Sequence, residues 1–226
     1  CFTLLGIMLL ILSACSDDSE VTPDGEESAE AEGGDLVMSF PTDIISMDPH
    51  GSEDTPSEQV RNTIYEGLVK HDENMDIIPG LATEWEQVDE TTWEFKLRED
   101  VTFHDGSKFN AEVVKANIDR IQDVARASPR EFILEMISEV NIIDDYTVEI
   151  VTEYPFSPLL GNLSHGAGKM LSKDLIDEDY QNALDEAGLD TTLEEYYEIR
   201  EIGGEEHEEI ASQISNSTGA IVEQNP

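Results

Sequence analysis

The groups in this 226-residue chain that could do chemistry are five histidines, two cysteines and 52 acidic residues. Their spacing argues against catalysis. His50, His71, His104, His165 and His207 are scattered, with neither HExxH nor any other close zinc spacing. Ser164-His165-Gly166 lacks the GxSxG context of a nucleophile elbow. Carboxylates are so frequent that pairs arise everywhere, and none stands out as acid and base. There is no phosphate-binding glycine loop, so any ATP is hydrolysed by a partner. No cofactor or metal is called for. A hydrolase would need a nucleophile–base pair or metal cluster assembled by the fold.

Charge narrows the partners. Fifty-two acidic against 12 basic residues leave a formal −40. Phosphates would be repelled, which argues against nucleic acid. Anionic membrane surfaces repel it too, so any attachment is apolar or covalent. Cys1 to Ser13 are nearly all apolar and lead into Leu12-Ser13-Ala14-Cys15. That end is similar to a bacterial lipobox, in which small residues precede a cysteine whose thiol carries diacylglycerol. The run is too short to span a bilayer and suits the apolar region of a signal peptide. Residues 1–14 are therefore expected to be a signal-peptide remnant without its charged start, and Cys15 the lipid attachment point. The alternative is a buried or interfacial helix ending by chance in that tetrapeptide. Residues 16–35 are acidic, rich in Ser, Gly and Ala, and free of aromatics, as a disordered tether would be. Their carboxylates lack the spacing of a calcium loop.

Regular elements begin near Leu36, whose run to Phe40 reads as a strand. Glu58 to Val69 reads as a helix with Val60, Ile64 and Leu68 on one face. Trp93, Phe95 and Leu97 alternate with polar residues, the signature of a half-buried strand, and Val101 and Phe103 extend the alternation after a break. His104 to Ser107 supplies a turn, and Asn110 caps a helix carrying Val114, Ile118 and Ile121. A further helix is expected over Pro129 to Ser138. A hairpin turns at Asp144-Asp145, and a short helix is capped by Ser157 with Pro158 in its first turn. Acidic helices follow over 174–215, with Leu193, Tyr196, Tyr197 and Ile202 as a buried stripe.

Pro79 to Ala82, Trp85-Glu86, Trp93 to Arg98, Val101, Phe103 to Gly106, Phe109 and Ala111 to Val114 stand in an order that closely resembles one family. So do Ser46 to His50, Ile64 to Leu68, Pro155 to Leu160 and Met170 to Lys173. The family is the peptide/nickel-type solute-binding proteins of ABC importers, family 5. The resemblance implies an α/β fold of the periplasmic-binding-protein type II, peptide-binding class. Residues 36–226 would be a partial domain: part of the first lobe plus the small extra domain, the second lobe missing, and 174–215 an acidic insertion. Ser217-Thr218-Gly219 keeps only part of a family turn.

Function follows only as what the resemblance implies. Two lobes would close on a peptide and dock on an ABC permease served by an ATPase subunit. The chain would sit outside the cytoplasm, lipid-anchored to the outer face of the cell membrane or periplasmic. Asp43, Ile44, Ile45 and Ser46 are the ligand-binding candidates, pairing with a peptide as an added strand does; the alternative for them is a strand end and turn. Nickel, haem, glutathione or oligosaccharide are alternative ligands, and a non-transport peptide-sensing lipoprotein is the rival of another class.

So many carboxylates suit a surface adapted to high salt, where repulsion is screened; the other reading is a generally acidic secreted protein. Raising NaCl from about 0.1 M to about 2 M is expected to raise the urea midpoint. A midpoint indifferent to salt would contradict the halophilic reading.

Overall fold

The computed structural model describes residues 37, 39 and 42–225. Cys15, residues 1–14 and the 16–35 tether lie outside the described residues. So does the expected strand over 36–40, apart from the exposed Val37 and Ser39. The chain divides into two units, Cys1–Ser39 and Phe40–Pro226, and the second carries everything below.

Its first regular element is α1 (Thr55–Arg61), shorter and earlier than the periodicity predicts. Asp54 sets its start by accepting from the Ser57 N–H at 2.9 Å, with Pro56 in the first turn. It ends at Arg61, whose guanidinium is tied back to the preceding loop. Leu68 thus belongs to the next element, where β1 (Val69–His71) pairs antiparallel with β2 (Ile77–Pro79).

A four-stranded antiparallel sheet follows, ordered β3-β4-β6-β5: β3 (Ala82–Gln87), β4 (Thr92–Leu97), β6 (Thr147–Thr152) and β5 (Ile137–Asp144). The expected alternation holds in β4. Phe95 and Leu97 are buried, Trp93 packs on the core and Lys96 faces out. The expected second strand at Val101–Phe103 is only a bridge between Thr102 and Lys108, because the chain turns at once. Gly106 closes that turn at φ +90°, a conformation glycine adopts without strain. The hairpin at Asp144-Asp145 is as expected.

Asn110 caps α2 (Ala111–Gln122) by accepting from the Val113 N–H at 3.1 Å. One face carries Val114, Ile118 and Ile121 onto the sheet, in a core with Phe95, Val148 and Ile150. The helix expected at Pro129–Ser138 is instead a single 3₁₀ turn, Glu131–Ile133. Gln122 accounts for the difference: its side-chain amide donates to the Leu134 and Ile137 carbonyls at 2.9 and 2.8 Å. Ile137 is thereby drawn into β5 and Phe132 is left exposed. Ser157 does not cap α3 (Leu159–Leu163); Pro158 occupies the cap position without a side-chain bond.

The acidic stretch forms α4 (Lys173–Ala187), α5 (Leu193–Ile202) and α6 (Glu205–Ile214), followed by α7 (Ala220–Gln224). These helices build a second core against the other side of α2. Asp123, just past α2, is its polar anchor. Its carboxylate accepts from Tyr180 and Tyr196 hydroxyls at 2.8 and 2.7 Å and lies 3.1 Å from His207 Nε2. The stripe is therefore partly right: Tyr196 is buried and Leu193 and Tyr197 pack beside it, but Ile202, at the helix end, is 85% exposed.

Candidate functional site

The inner side of α2 carries a residue that no apolar pattern foretells. Arg120 is fully buried between Ile118 and Ile121. Its guanidinium grips Asp48 in a fork, Nη1 to Oδ1 at 3.1 Å and Nη2 to Oδ2 at 2.7 Å. Arg126 adds a bond to Asp48 Oδ2 at 2.8 Å, and the His50 N–H donates to Oδ1 at 2.8 Å. Arg120 also meets Asp179 of α4 at 3.3 Å, so one side chain joins the 46–52 loop to the helical half.

Two more arginines hold the same loop from its other side. Arg61 donates to the carbonyls of Ser46, Asp48 and Ser52 at 3.2, 3.0 and 2.9 Å. Arg130 bonds the Pro49 carbonyl at 3.3 Å and the Glu58 carboxylate at 2.7 Å. A loop with no regular structure thus has its carbonyls satisfied by buried cations.

Burial alone would raise the Asp48 carboxyl; the Arg120 and Arg126 guanidiniums override it and hold it far below the usual carboxylate range. Burial, and next the charge of Arg120, pushes His50 down to about 3. The imidazole is neutral, and its Nδ1 accepts from Arg120 Nη1 at 3.0 Å.

The sequence candidates lie at the entrance to this loop. Asp43, Ile44 and Ile45 are exposed, Ile45 at 75%, and lie outside helix and strand. Ser46 is buried. Ser57 Oγ accepts from the Ile45 and Ser46 N–H groups at 2.8 and 3.2 Å, so α1 fixes where the exposed segment begins. Of these four, Ser46 meets Glu223 of α7, whose carboxylate accepts from the Ser46 hydroxyl and from the Met47 N–H at 2.7 Å. Sequence reasoning missed Glu223 and all four arginines. The available signal was scarcity: six arginines among 52 acids, one of them on the apolar face of α2.

A cavity of about 720 Å³ lies elsewhere, between the His104–Asp105 turn and the start of α4. Leu81, Phe103, Met170 and Leu171 line it, as does Tyr65, whose buried hydroxyl has no partner among the described residues. None of Asp43 to Ser46 borders it. His104 sits at its edge, in the turn. Among the described residues no group of three or more His, Cys, Asp or Glu could hold a metal ion.

The buried imidazole gives the fold a pH dependence. Below the ordinary histidine value near 6.5 the unfolded chain binds a proton that the folded His50 refuses until about pH 3. Stability is full above 6.5 and falls as pH drops through that window. Asp48 adds nothing there, since its contribution is lost only below the ordinary carboxylate range, near 4. Denaturant unfolding at pH 7 and pH 5 is expected to differ by about 2 kcal/mol more in the wild type than in His50→Gln. Equal differences in the two proteins would contradict a buried neutral imidazole.

Comparison with known proteins agrees with this architecture. The model of the bacterial extracellular solute-binding proteins, family 5 middle region, matches residues 76–188, half of the chain. The glutathione-binding protein GsiB of Pectobacterium atrosepticum is 37% identical over 139 residues, 61% of this chain and 27% of that protein. NikZ from Campylobacter jejuni, solved with Ni(L-His), shares 34% identity at a TM-score of 0.54, over 60% of this chain and 27% of that one. OppA from Haemophilus influenzae, solved with the peptide RPPGFSPFR, shares 26% identity at a TM-score of 0.56, over 59% and 30%. The chain spans less than a third of the length of these proteins. The fold is that of the periplasmic binding proteins, and the family is one of solute binders rather than enzymes. With the ordered motifs, the matching helix-and-sheet frame and half of its residues under the family model, the chain belongs to the bacterial extracellular solute-binding proteins of family 5.

Proposed function

We propose that this chain is part of a receptor that captures short peptides outside the cytoplasm and delivers them to the permease of an ABC importer. ATP hydrolysis would fall to a separate subunit, and lipidation at Cys15 would keep the receptor at the outer face of the membrane. One observation carries the reading: an exposed segment, Asp43 to Ile45, runs directly into a loop immobilised by four arginines. A receptor that binds through backbone groups needs such a segment, because a strand pre-set by its frame loses less entropy when a peptide pairs with it. Relatives support the ligand class. One is named for glutathione, itself a tripeptide, and another was solved with a nonapeptide.

The addition to the shared frame, expected over 174–215, would be narrower and confined to α5 and α6, since the family match includes α4 and ends at residue 188. Their anchoring through Tyr196 and His207 to Asp123 makes them part of the folded body.

The test is calorimetry on the receptor encoded by the complete reading frame, with tri-alanine, glutathione and Ni(L-His) as titrants. A peptide Kd near or below about 10 μM is expected, weakened at least about tenfold by Ile44→Pro, which removes a backbone donor. Affinity for Ni(L-His) alone, or peptide affinity indifferent to Ile44→Pro, would overturn the reading.

A further inference from the structure

The contact between α7 and the 46–48 turn carries more than the docking of a helix. Glu223 places a carboxylate against the Ser46 hydroxyl and accepts from the Met47 N–H at 2.7 Å, with the Asp48 N–H at 3.5 Å. Ser46 Oγ in turn lies 3.2 Å from the Asp48 N–H. One hydroxyl and two successive amides thus converge on one anionic group, the arrangement by which a backbone concavity takes up a carboxylate.

The surroundings tolerate an anion there. Behind the turn four guanidiniums, of Arg61, Arg120, Arg126 and Arg130, are paired directly with only three carboxylates, those of Asp48, Glu58 and Asp179. With Asp54, whose charge also bears on Arg61, the four cations face four carboxylates, so this corner is near balance in a chain of net charge −40. Ser46 and Asp48 are buried, but the Glu223 residue that meets them is exposed, and Ile45 at the entrance to the turn is 75% exposed.

Glu223 is not what holds α7 in place. The Gly219 and Ile221 N–H groups donate to the Asp179 carboxylate at 2.6 and 3.1 Å, and Val222 is fully buried. Releasing the Glu223 side chain would leave these anchors of α7 in place.

We infer that Ser46, Met47 and Asp48 form a carboxylate subsite, in which the Glu223 carboxylate stands. A peptide whose terminal carboxylate enters the turn displaces Glu223, so the chain carries its own competitor for one end of the ligand. This rests on the reading of Asp43 to Ser46 as a ligand segment and adds the group that would be recognised there.

The test follows the Met47 and Asp48 amides by NMR in the full chain and in Glu223→Ala. The probe is sodium acetate, up to about 100 mM because a lone carboxylate binds weakly, with acetamide and sodium chloride as controls. Saturable shifts are expected in the variant, at least about tenfold tighter than in the wild type, and abolished by adding Ser46→Ala. Acetamide should do nothing. Tri-alanine and its C-terminal amide then distinguish a peptide end, which favours the free acid, from any small carboxylate, which competes equally. The Gly219 and Ile221 amides report whether α7 is still docked; should it detach, Glu223→Gln replaces the alanine variant. Shifts equal in wild type and variant, equal for acetamide, or absent from both proteins would overturn the subsite. Those outcomes leave peptide capture by the intact receptor standing, since that is read by calorimetry and by Ile44→Pro.

Discussion

The bond between Arg120 and Asp48 is the constraint on which the rest of this structure depends. It joins a helix on the sheet to a loop far away in sequence, and through Asp179 it reaches the helical half as well. Neither charge touches water. A buried pair of this kind stabilises little in total, because desolvation offsets most of the Coulombic gain. Its effect is geometric: removing Arg120 leaves Asp48 with Arg126 alone, and removing Asp48 leaves Arg120 with Asp179 alone, so each buried charge keeps too few partners unless the loop stays where it is. Arg61, Arg126 and Arg130 extend the same logic along the loop by taking its carbonyls and carboxylates.

This use of arginine explains a charge distribution that looks lopsided in composition alone. Twelve basic residues face 52 acidic ones, yet Arg61, Arg120 and Arg130 are buried and Arg126 is nearly so. Four of the twelve cations are concentrated behind the 46–52 loop, and at the outer surface carboxylates far outnumber the remaining lysines and arginines. The planar guanidinium suits this work, since it satisfies several acceptors at once without giving up its charge. The surface carboxylates meanwhile repel one another at a strength set by ionic screening. Interior and exterior thus answer to salt differently.

Much of the frame was legible in the sequence, and the reason is periodicity. Trp93, Phe95 and Leu97 alternate because one side of β4 meets the core, and Val114, Ile118 and Ile121 recur because one side of α2 lies on it. Local chemistry marked Asn110 as a cap and Gly106 as a turn. Where long-range bonds decide, the pattern failed. The helix read at Glu58–Val69 stops at Arg61, which is tied to the loop, and the helix read at Pro129–Ser138 gives way to a strand held by Gln122. Of the site, only Asp43 to Ser46 were in view, and through family resemblance rather than spacing. Glu223 lies 177 positions from Ser46, and nothing local in a chain full of glutamates marks the one that meets it.

The picture is a rigid polar hub presenting a short exposed segment, in a family whose members capture solutes. The hub's central bond is open to direct measurement. A double-mutant cycle on Asp48→Asn and Arg120→Met, read by urea unfolding at pH 7, isolates the coupling between the two side chains. A coupling of about 2 kcal/mol or more is expected, the double change costing less than the sum of the two single ones. Additive costs would show that the 46–52 loop is held by something other than this pair.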